Sequence, residues 1–182
     1  SAHPVDVTPN TLYEWIGGLV ITNDVSARDI QVSHEQFNEA KSYRTFGPTG
    51  YFLVLLSAEE MRSWGELVLT LKVNGEVRQN APASEMIFGP AATLTELSQI
   101  RDLQPGDMIA TGTPSGVALK LPPKALMMAA RLMSPEARFK AFMKSQLEHD
   151  RYLQPGHELE TTIATPDGEI DLGVQRNTIV AG

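Results

Sequence analysis

The 182-residue sequence contains no cysteine, which excludes disulfides, zinc–thiolate sites and cysteine nucleophiles. This absence is compatible with a reducing cytoplasm, and a cytoplasmic location is our expectation. Positive charge is also scarce, because 15 Lys and Arg residues against 22 Asp and Glu residues give a net charge of −7. Such a chain lacks the basic character of nucleic-acid-binding proteins. An anionic substrate would therefore need a local positive site, such as a metal ion or a buried Arg or Lys.

Long apolar runs are missing as well. No stretch approaches the roughly 18 apolar residues of a membrane span, and the N-terminal residues lack the basic and apolar regions of a signal peptide. We therefore expect no membrane partner. The chain opens on Ser1 and not on methionine, which indicates a processed or trimmed piece. A hydrophobic content of 42% suits one domain with its own core.

Alternating residues predict a β-rich fold. Apolar and polar residues alternate over residues 67–79, and Asn74-Gly75 supplies a two-residue hairpin turn. A second hairpin turn is expected at Asp167-Gly168. Apolar runs predict three further elements: a strand buried on both faces at 51–56, a short helix at 91–100 and a strand at 108–111. These elements predict an α+β domain that is mainly β.

Segment 121–152 differs in composition from the rest, since it holds four of the seven methionines. We predict a helical hairpin inserted into the single domain formed by residues 1–182. Ser134 would cap the second helix, Pro135 would begin it, and Phe139, Phe142, Met143 and Leu147 would form its apolar stripe. Packing explains the methionines more simply than a ligand surface does. A lid, a dimer contact and a surface decoration remain open as roles for the insertion.

Two polar segments near the start could carry chemistry. Residues 23–31 offer carboxylates at Asp24 and Asp29 and a guanidinium at Arg28, which suit a hard cation and an anionic substrate respectively. Local capping and ion pairing would explain the same residues. Lys41, which precedes a Gly-Pro turn, would act as a point charge or proton donor if desolvated. An exposed lysine before a turn is the simpler interpretation of that residue.

A third segment, residues 107–116, ends in two threonines and two glycines. Backbone amides and hydroxyls in such a loop can face an anion, although a tight turn is the simpler explanation. The loop is not a phosphate-binding loop of nucleotide hydrolases, because it lacks the closing Gly-Lys-Ser/Thr.

Taken in order, these motifs resemble the fumarylacetoacetate hydrolase family. The similarity covers about residues 9–119 and resumes over about 152–180, through the segments NDVSARDIQ, AKSYRTFGPTG, VNGEVRQ, MIF, PGDMIATGTPSGV, LQPGHELETTI and LGVQRN. The resemblance implies a mixed β-sandwich roll of that family's type, a homodimer and a role in aromatic catabolism.

The resemblance also implies roles for individual residues. Asp24 would be one of three carboxylate ligands of a Mg²⁺ or Mn²⁺ ion. Arg28 and Gln31 would lie beside the substrate, Lys41 would hold or protonate an enolate, and Thr113 would bind the substrate carboxylate. The metal would act as a Lewis acid on a small diketo or 2-oxo acid. The implied enzyme is a hydrolase or lyase, with C–C bond hydrolysis favoured and decarboxylation, isomerisation or hydration as alternatives.

The sequence departs from the family pattern in one respect that bears on the site. The Glu-x-Glu pair that would complete the metal site, and a His-Glu lid, are expected upstream of residue 1. Glu158-Leu159-Glu160 falls at the wrong place in the order, and its alternation predicts a strand with both glutamates on the solvated face. His34 is a conceivable base, but an exposed surface histidine is the preferred interpretation. An inactive relative that binds a small carboxylate or a partner chain is the alternative to an enzyme, and a separate chain that completes the site is another.

Overall fold

The computed structural model describes residues 5–33, 36–119, 128, 132–147 and 151–181. Its strands are β1 (Val68–Val73), β2 (Glu76–Pro82), β3 (Glu158–Ala164) and β4 (Asp171–Thr178). Its helices are α1 (Arg28–Ser33), α2 (Asn38–Lys41), α3 (Ala58–Arg62), α4 (Pro90–Ile100) and α5 (Pro135–Leu147), with short 3-10 turns at Leu12–Glu14, Trp64–Glu66 and Ala83–Glu85.

The four strands form one antiparallel sheet in the order β2-β1-β3-β4. Both predicted hairpins are confirmed. Asn74 and Gly75 adopt φ angles of 50° and 81° between β1 and β2, which glycine and asparagine tolerate best. In the second hairpin the Thr165 amide donates to the Ile170 carbonyl, and the Thr165 hydroxyl accepts from the Ile170 amide. The predicted α+β class is therefore confirmed, with a sheet built largely from sequence-local hairpins.

Two apolar clusters hold the domain together. The first packs the sheet against the chain before α1, with buried Ile21, Leu67, Ala83, Ile170 and Leu172. The second lies beneath α4, with buried Val7, Leu12, Met61 and Leu94. Burial of large apolar side chains contributes roughly 1.5–3 kcal/mol each. The first cluster fixes the end of the segment that leads directly into Asp24.

The prediction of a strand buried on both faces at residues 51–56 is wrong. Among the described residues, this segment and the residues just before it pair with residues 19–22 only through single bridges, Leu19 with Val54 and Thr22 with Thr49. Tyr51 is 96% exposed and Leu55 is 71% exposed, because no described residue covers the outer face of the run. Residues 108–111 are likewise irregular and not a strand, since no described strand lies beside them to form a ladder. Apolar composition alone does not supply a hydrogen-bonding neighbour.

The second helix of the predicted insertion is confirmed as α5. Ser134 Oγ accepts a hydrogen bond from the Ala137 amide at 3.3 Å, as expected of an N-cap. Phe142 and Met143 are half-buried, but Phe139 is exposed, so the apolar stripe is narrower than predicted. Apart from helical Met128, the predicted first helix lies outside the described residues. Within the part of the chain that the structure covers, no helix combines the length and the apolar character needed to span a bilayer.

Candidate functional site

Asp24 and Lys41 meet although 17 positions separate them in sequence. Asp24 follows the Ile21–Thr22 segment anchored in the core, and Lys41 is the last residue of α2. The Ala27 amide donates to the Ala40 carbonyl at 2.9 Å and so ties α2 to the start of α1. Lys41 Nζ then donates to Asp24 Oδ2, with about a third of each side chain exposed. The fold thus brings two predicted site residues into one ion pair.

Arg28 and Gln31 are brought together by the helix itself. They lie three positions apart in α1, so their side chains share one face. Arg28 Nη1 donates to Gln31 Oε1. This contact orients the guanidinium and leaves its other N–H groups able to reach an anion.

Thr113 lies in an irregular loop that is fastened to β2. Gln79 Nε2 donates to the Pro114 carbonyl at 2.9 Å. Gly116, at φ +103°, approaches the strand so closely that a Cβ atom there would lie 2.1 Å from the Arg78 carbonyl oxygen. The Gln79 hydrogen bond therefore holds the loop against the sheet, and the close approach at Gly116 is possible because glycine has no side chain.

Three of the five predicted site residues line one cleft of about 420 Å³, named here the basic cleft. Its polar lining comes mainly from Asp24, Arg28, Arg78, Gln79, Thr113, Arg151 and Tyr152. Lys41 and Gln31 do not line it, but their hydrogen bonds to Asp24 and Arg28 hold them beside it. Asp24 and Thr113 also line a smaller adjoining cleft of about 190 Å³. The arrangement offers positive charge, a carboxylate and a hydroxyl around a space suited to a small acid.

Sequence reasoning missed Arg78, Arg151 and Tyr152. Arg78 lies within the VNGEVRQ motif, whose clearest local signal is the turn that precedes it. Arg151 Nη2 donates to the Gly116 carbonyl at 3.3 Å across 35 sequence positions, a contact that no local spacing reveals. Burial raises the pKa of the Tyr152 hydroxyl, and the nearby Arg28 charge offsets part of that rise. Tyr152 and Arg28 therefore lie close enough to interact electrostatically.

The described residues do not complete a site for Mg²⁺ or Mn²⁺. Among residues 5–33, 36–119, 128, 132–147 and 151–181, no group of three or more His, Cys, Asp or Glu residues is arranged to hold a metal ion. Asp24 is the sole carboxylate among the described residues that line the basic cleft. One carboxylate is a weak site for Mg²⁺, which dehydrates reluctantly. Among the described residues that line the basic cleft, Asp24 is therefore the one carboxylate that could coordinate such an ion.

Glu158 and Glu160 lie in β3, as the alternation predicted. Glu158 is exposed, but Glu160 is not simply solvated. Its carboxylate accepts from Lys72 Nζ at 3.2 Å and from Arg176 Nη2 at 2.8 Å, which are cross-strand neighbours. Glu160 thus has a structural role between three strands. The candidate base His34 lies outside the described residues.

The chain matches a known family over nearly its whole length. Residues 2–180 match the family model described as fumarylacetoacetate (FAA) hydrolase C-terminal. The chain is 41% identical over 121 residues to the oxaloacetate tautomerase YisK of Bacillus subtilis, covering 66% of this chain and 40% of that protein.

Two solved structures share the fold. The 2-hydroxyhepta-2,4-diene-1,7-dioate isomerase of Mycobacterium marinum is 31% identical with a TM-score of 0.66, over 96% of this chain and 52% of that one. The fumarylacetoacetate hydrolase of Exiguobacterium antarcticum is 30% identical with a TM-score of 0.67, over 97% of this chain and 51% of that one. The chain spans about half the length of these relatives, and it belongs to the fumarylacetoacetate hydrolase family.

Proposed function

We propose that the chain forms the substrate-binding core of an enzyme that acts on a small diketo or 2-oxo acid by moving a proton at the carbon beside the oxo group. The observation that carries this proposal is the Asp24–Lys41 ion pair at the edge of a cleft lined by Arg28 and Thr113. A carboxylate binder, a hydroxyl and a proton carrier are the groups that such a reaction requires.

Arg28 is suited to bind the substrate carboxylate. One of its terminal nitrogens is engaged by Gln31, which fixes the guanidinium plane, and a guanidinium binds a carboxylate through paired N–H groups. The Thr113 hydroxyl would donate to the same carboxylate. Because Gln79 holds the Thr113 loop against β2, the Thr113 hydroxyl is positioned before the substrate arrives.

Lys41, as an ammonium, is suited to deliver the proton to the substrate carbon, and removal of a proton in the reverse direction would require its neutral amine. Its ammonium is held at the cleft by Asp24 and has two further N–H groups. A Mg²⁺ or Mn²⁺ ion bound by Asp24 and by carboxylates beyond the described residues would supply Lewis-acid polarisation of the substrate. That metal requirement is part of the proposal.

Proton transfer is favoured over C–C bond hydrolysis because the described residues supply its proton carrier, Lys41, at the edge of the basic cleft. The 41% identical relative is named a tautomerase. Hydrolysis, the reaction favoured under the family resemblance, stays the second candidate, because the Exiguobacterium relative is named a hydrolase. Decarboxylation and hydration have no specific support from the described residues.

Lys41→Met tests the proposal. With Mg²⁺ or Mn²⁺ present, we expect the protein to accelerate enol–keto conversion of oxaloacetate, followed by enol absorbance, and the variant to lose most of this activity, by roughly 10²–10⁴-fold. Lys72→Met is the matched control, since Lys72 also forms an ion pair with a carboxylate but lies outside the basic cleft. Cleavage of acetylpyruvate, assayed in parallel, tests the hydrolase alternative. Equal activity of the Lys41 variant and the native protein would refute the proposed role.

A homodimer and a cytoplasmic location complete the proposal. The side chains of Tyr51, Phe52 and Leu55 are each exposed, and a second copy would bury them. Sedimentation of the protein at several concentrations tests the assembly. A monomer mass throughout would exclude the dimer.

A further inference from the structure

The loop that carries Thr113 is held by side chains and not by a backbone ladder. Residues 108–119 form no helix or strand, and no backbone–backbone hydrogen bond joins them to any other described residue. The hydrogen bonds that described residues do make to this stretch end on the carbonyls of residues 114–116. Gln79 Nε2 donates to the first two of these carbonyls at 2.9 and 3.4 Å, and Arg151 Nη2 donates to the third at 3.3 Å. Two side chains that are distant in sequence therefore hold this loop.

Thr113 has less backbone freedom on its C-terminal side than on its N-terminal side. Gly112 precedes it with a φ angle of +100°, and no described atom lies within 4 Å of the point that a Cβ atom would occupy there. Pro114 follows it, and the proline ring fixes its own φ angle and restricts the preceding residue to extended conformations. The position of the Thr113 hydroxyl therefore depends mainly on where the carbonyls of residues 114–116 are held.

Arg151 holds the end of this stretch at Gly116. The Gly116 carbonyl is the one described group to which Arg151 donates, and no described carboxylate forms an ion pair with Arg151. A hydrogen bond from a charged guanidinium is stronger than one from a neutral amide. Gly116 has no side chain of its own that could make a polar contact. The Arg151 hydrogen bond is therefore the polar contact that fastens this end of the loop.

We propose that Arg151 is a positioning residue, which together with Gln79 clamps the loop and so places the Thr113 hydroxyl for the substrate carboxylate. The inference rests on the proposed function for the role of Thr113. Arg151 acts through the backbone of the loop and not by contact with the substrate. Loss of Arg151 should therefore weaken binding by no more than loss of the Thr113 hydroxyl does.

A double-mutant cycle between Arg151 and Thr113 tests this inference. The measurement is titration calorimetry with pyruvate, the smallest 2-oxo acid, in the presence of Mg²⁺. We expect Thr113→Val to weaken binding by roughly tenfold to a hundredfold, and Arg151→Met by roughly threefold to tenfold. In the Thr113→Val background, Arg151→Met should change the affinity by less than about twofold. An equal loss in both backgrounds would mean that Arg151 acts independently of Thr113, and would overturn the proposal.

Two further variants separate the clamp from the charge of Arg151. Gln79→Leu removes the other half of the clamp without changing any charge, and its effect should also vanish in the Thr113→Val background. Arg151→Lys keeps a charged donor for the Gly116 carbonyl and should recover part of the affinity that Arg151→Met loses. Arg62→Met is the matched control, because Arg62 is an exposed arginine at the end of α3 that lines neither the basic cleft nor the adjoining one.

NMR relaxation of the unliganded protein provides a readout that needs no substrate. Backbone order parameters at Ser115 and Gly116 should fall in Arg151→Met, from the rigid range of about 0.85 towards the flexible range below about 0.6, and should be unchanged in Arg62→Met. If the native protein binds no pyruvate but these values fall, the proposed function fails and the clamp stands. Unchanged order parameters in Arg151→Met would refute the clamp whatever the affinity for pyruvate. Thermal unfolding of each variant checks that the fold is retained.

Discussion

Lys41 donates a hydrogen bond to the carboxylate of Asp24, and this single contact joins the end of α2 to the chain that leaves the core at Ile21. The contact also places Lys41, the lysine of the AKSYRTFGPTG motif, beside the carboxylate that lines the basic cleft. Neutralising either partner should therefore affect the position of the other.

Asp24→Ala should weaken binding of Mg²⁺ and Mn²⁺. Loss of residues that merely orient metal ligands lowers metal affinity by about 10–100-fold, and loss of a direct ligand should cost at least as much. Titration calorimetry of each ion, with oxalate present as an oxo-acid mimic, measures the effect. Asp29→Ala is the matched control, because Asp29 is an exposed aspartate in the neighbouring helix α1. Unchanged affinity in Asp24→Ala would remove Asp24 from the proposed ligand set.

Gly116→Ala should destabilise the protein and displace the Thr113 loop. A Cβ atom at this position would lie 2.1 Å from the Arg78 carbonyl oxygen, a backbone atom that cannot rotate away. The positive φ angle adds roughly 1–2 kcal/mol of strain for alanine. We expect a total loss of about 3 kcal/mol or more in the free energy of unfolding, measured by urea denaturation.

Gly112→Ala is the matched control for this loop. Gly112 has nearly the same φ angle, +100°, but no described atom lies within 4 Å of the point that a Cβ atom would occupy. The variant should therefore lose only the backbone strain energy of about 1–2 kcal/mol. Equal losses in the two variants would show that the close approach of Gly116 to β2 does not stabilise the loop.

The parts of the fold that depend on local signals could be predicted from the sequence. Asn74-Gly75 and Asp167-Gly168 specify turns through their own conformational preferences, so both hairpins follow from neighbouring residues. Residues 51–56 show the limit of this reasoning. Their apolar composition fits a buried strand, but burial depends on what covers the segment, and Tyr51 and Leu55 remain exposed in the described structure.

In the candidate site, too, some residues could be predicted from local motifs and others could not. Asp24, Arg28 and Thr113 could be identified because they lie in motifs whose order resembles a family. Arg151 could not, because its place in the cleft depends on a contact between segments that are far apart in the sequence. Its contact with Gly116 joins two segments that no periodicity relates. Metal dependence, the reaction branch and the individual site roles stay predictions for the same reason, since they depend on groups beyond the described residues.

Glu160 should make the stability of the sheet depend on pH. Hydrogen bonds from Arg176, which has the larger effect, and from Lys72 hold the pKa of the Glu160 carboxyl below its ordinary value of 4.5. At pH values near and below 4.5, the folded state therefore binds fewer protons than the unfolded state. Stability from this group is fully present above pH 4.5 and is lost as the pH falls through the lower folded-state pKa. Glu160→Gln should unfold with a weaker dependence on pH between about 5 and 3.

Urea denaturation at a series of pH values measures this difference. Glu158→Gln is the matched control, because Glu158 lies two residues away on the same strand and is exposed. The control should retain the native pH dependence, whereas Glu160→Gln should already be less stable at pH 7 and should lose less on acidification. Asp167 contributes in the same direction, because its carboxylate accepts from the Thr165 hydroxyl and the Glu169 amide, which lower its pKa. Some acid sensitivity will therefore remain in the Glu160 variant. If the variant and the native protein have identical pH profiles, the ion pairs of Glu160 with Lys72 and Arg176 do not contribute to the pH dependence of stability.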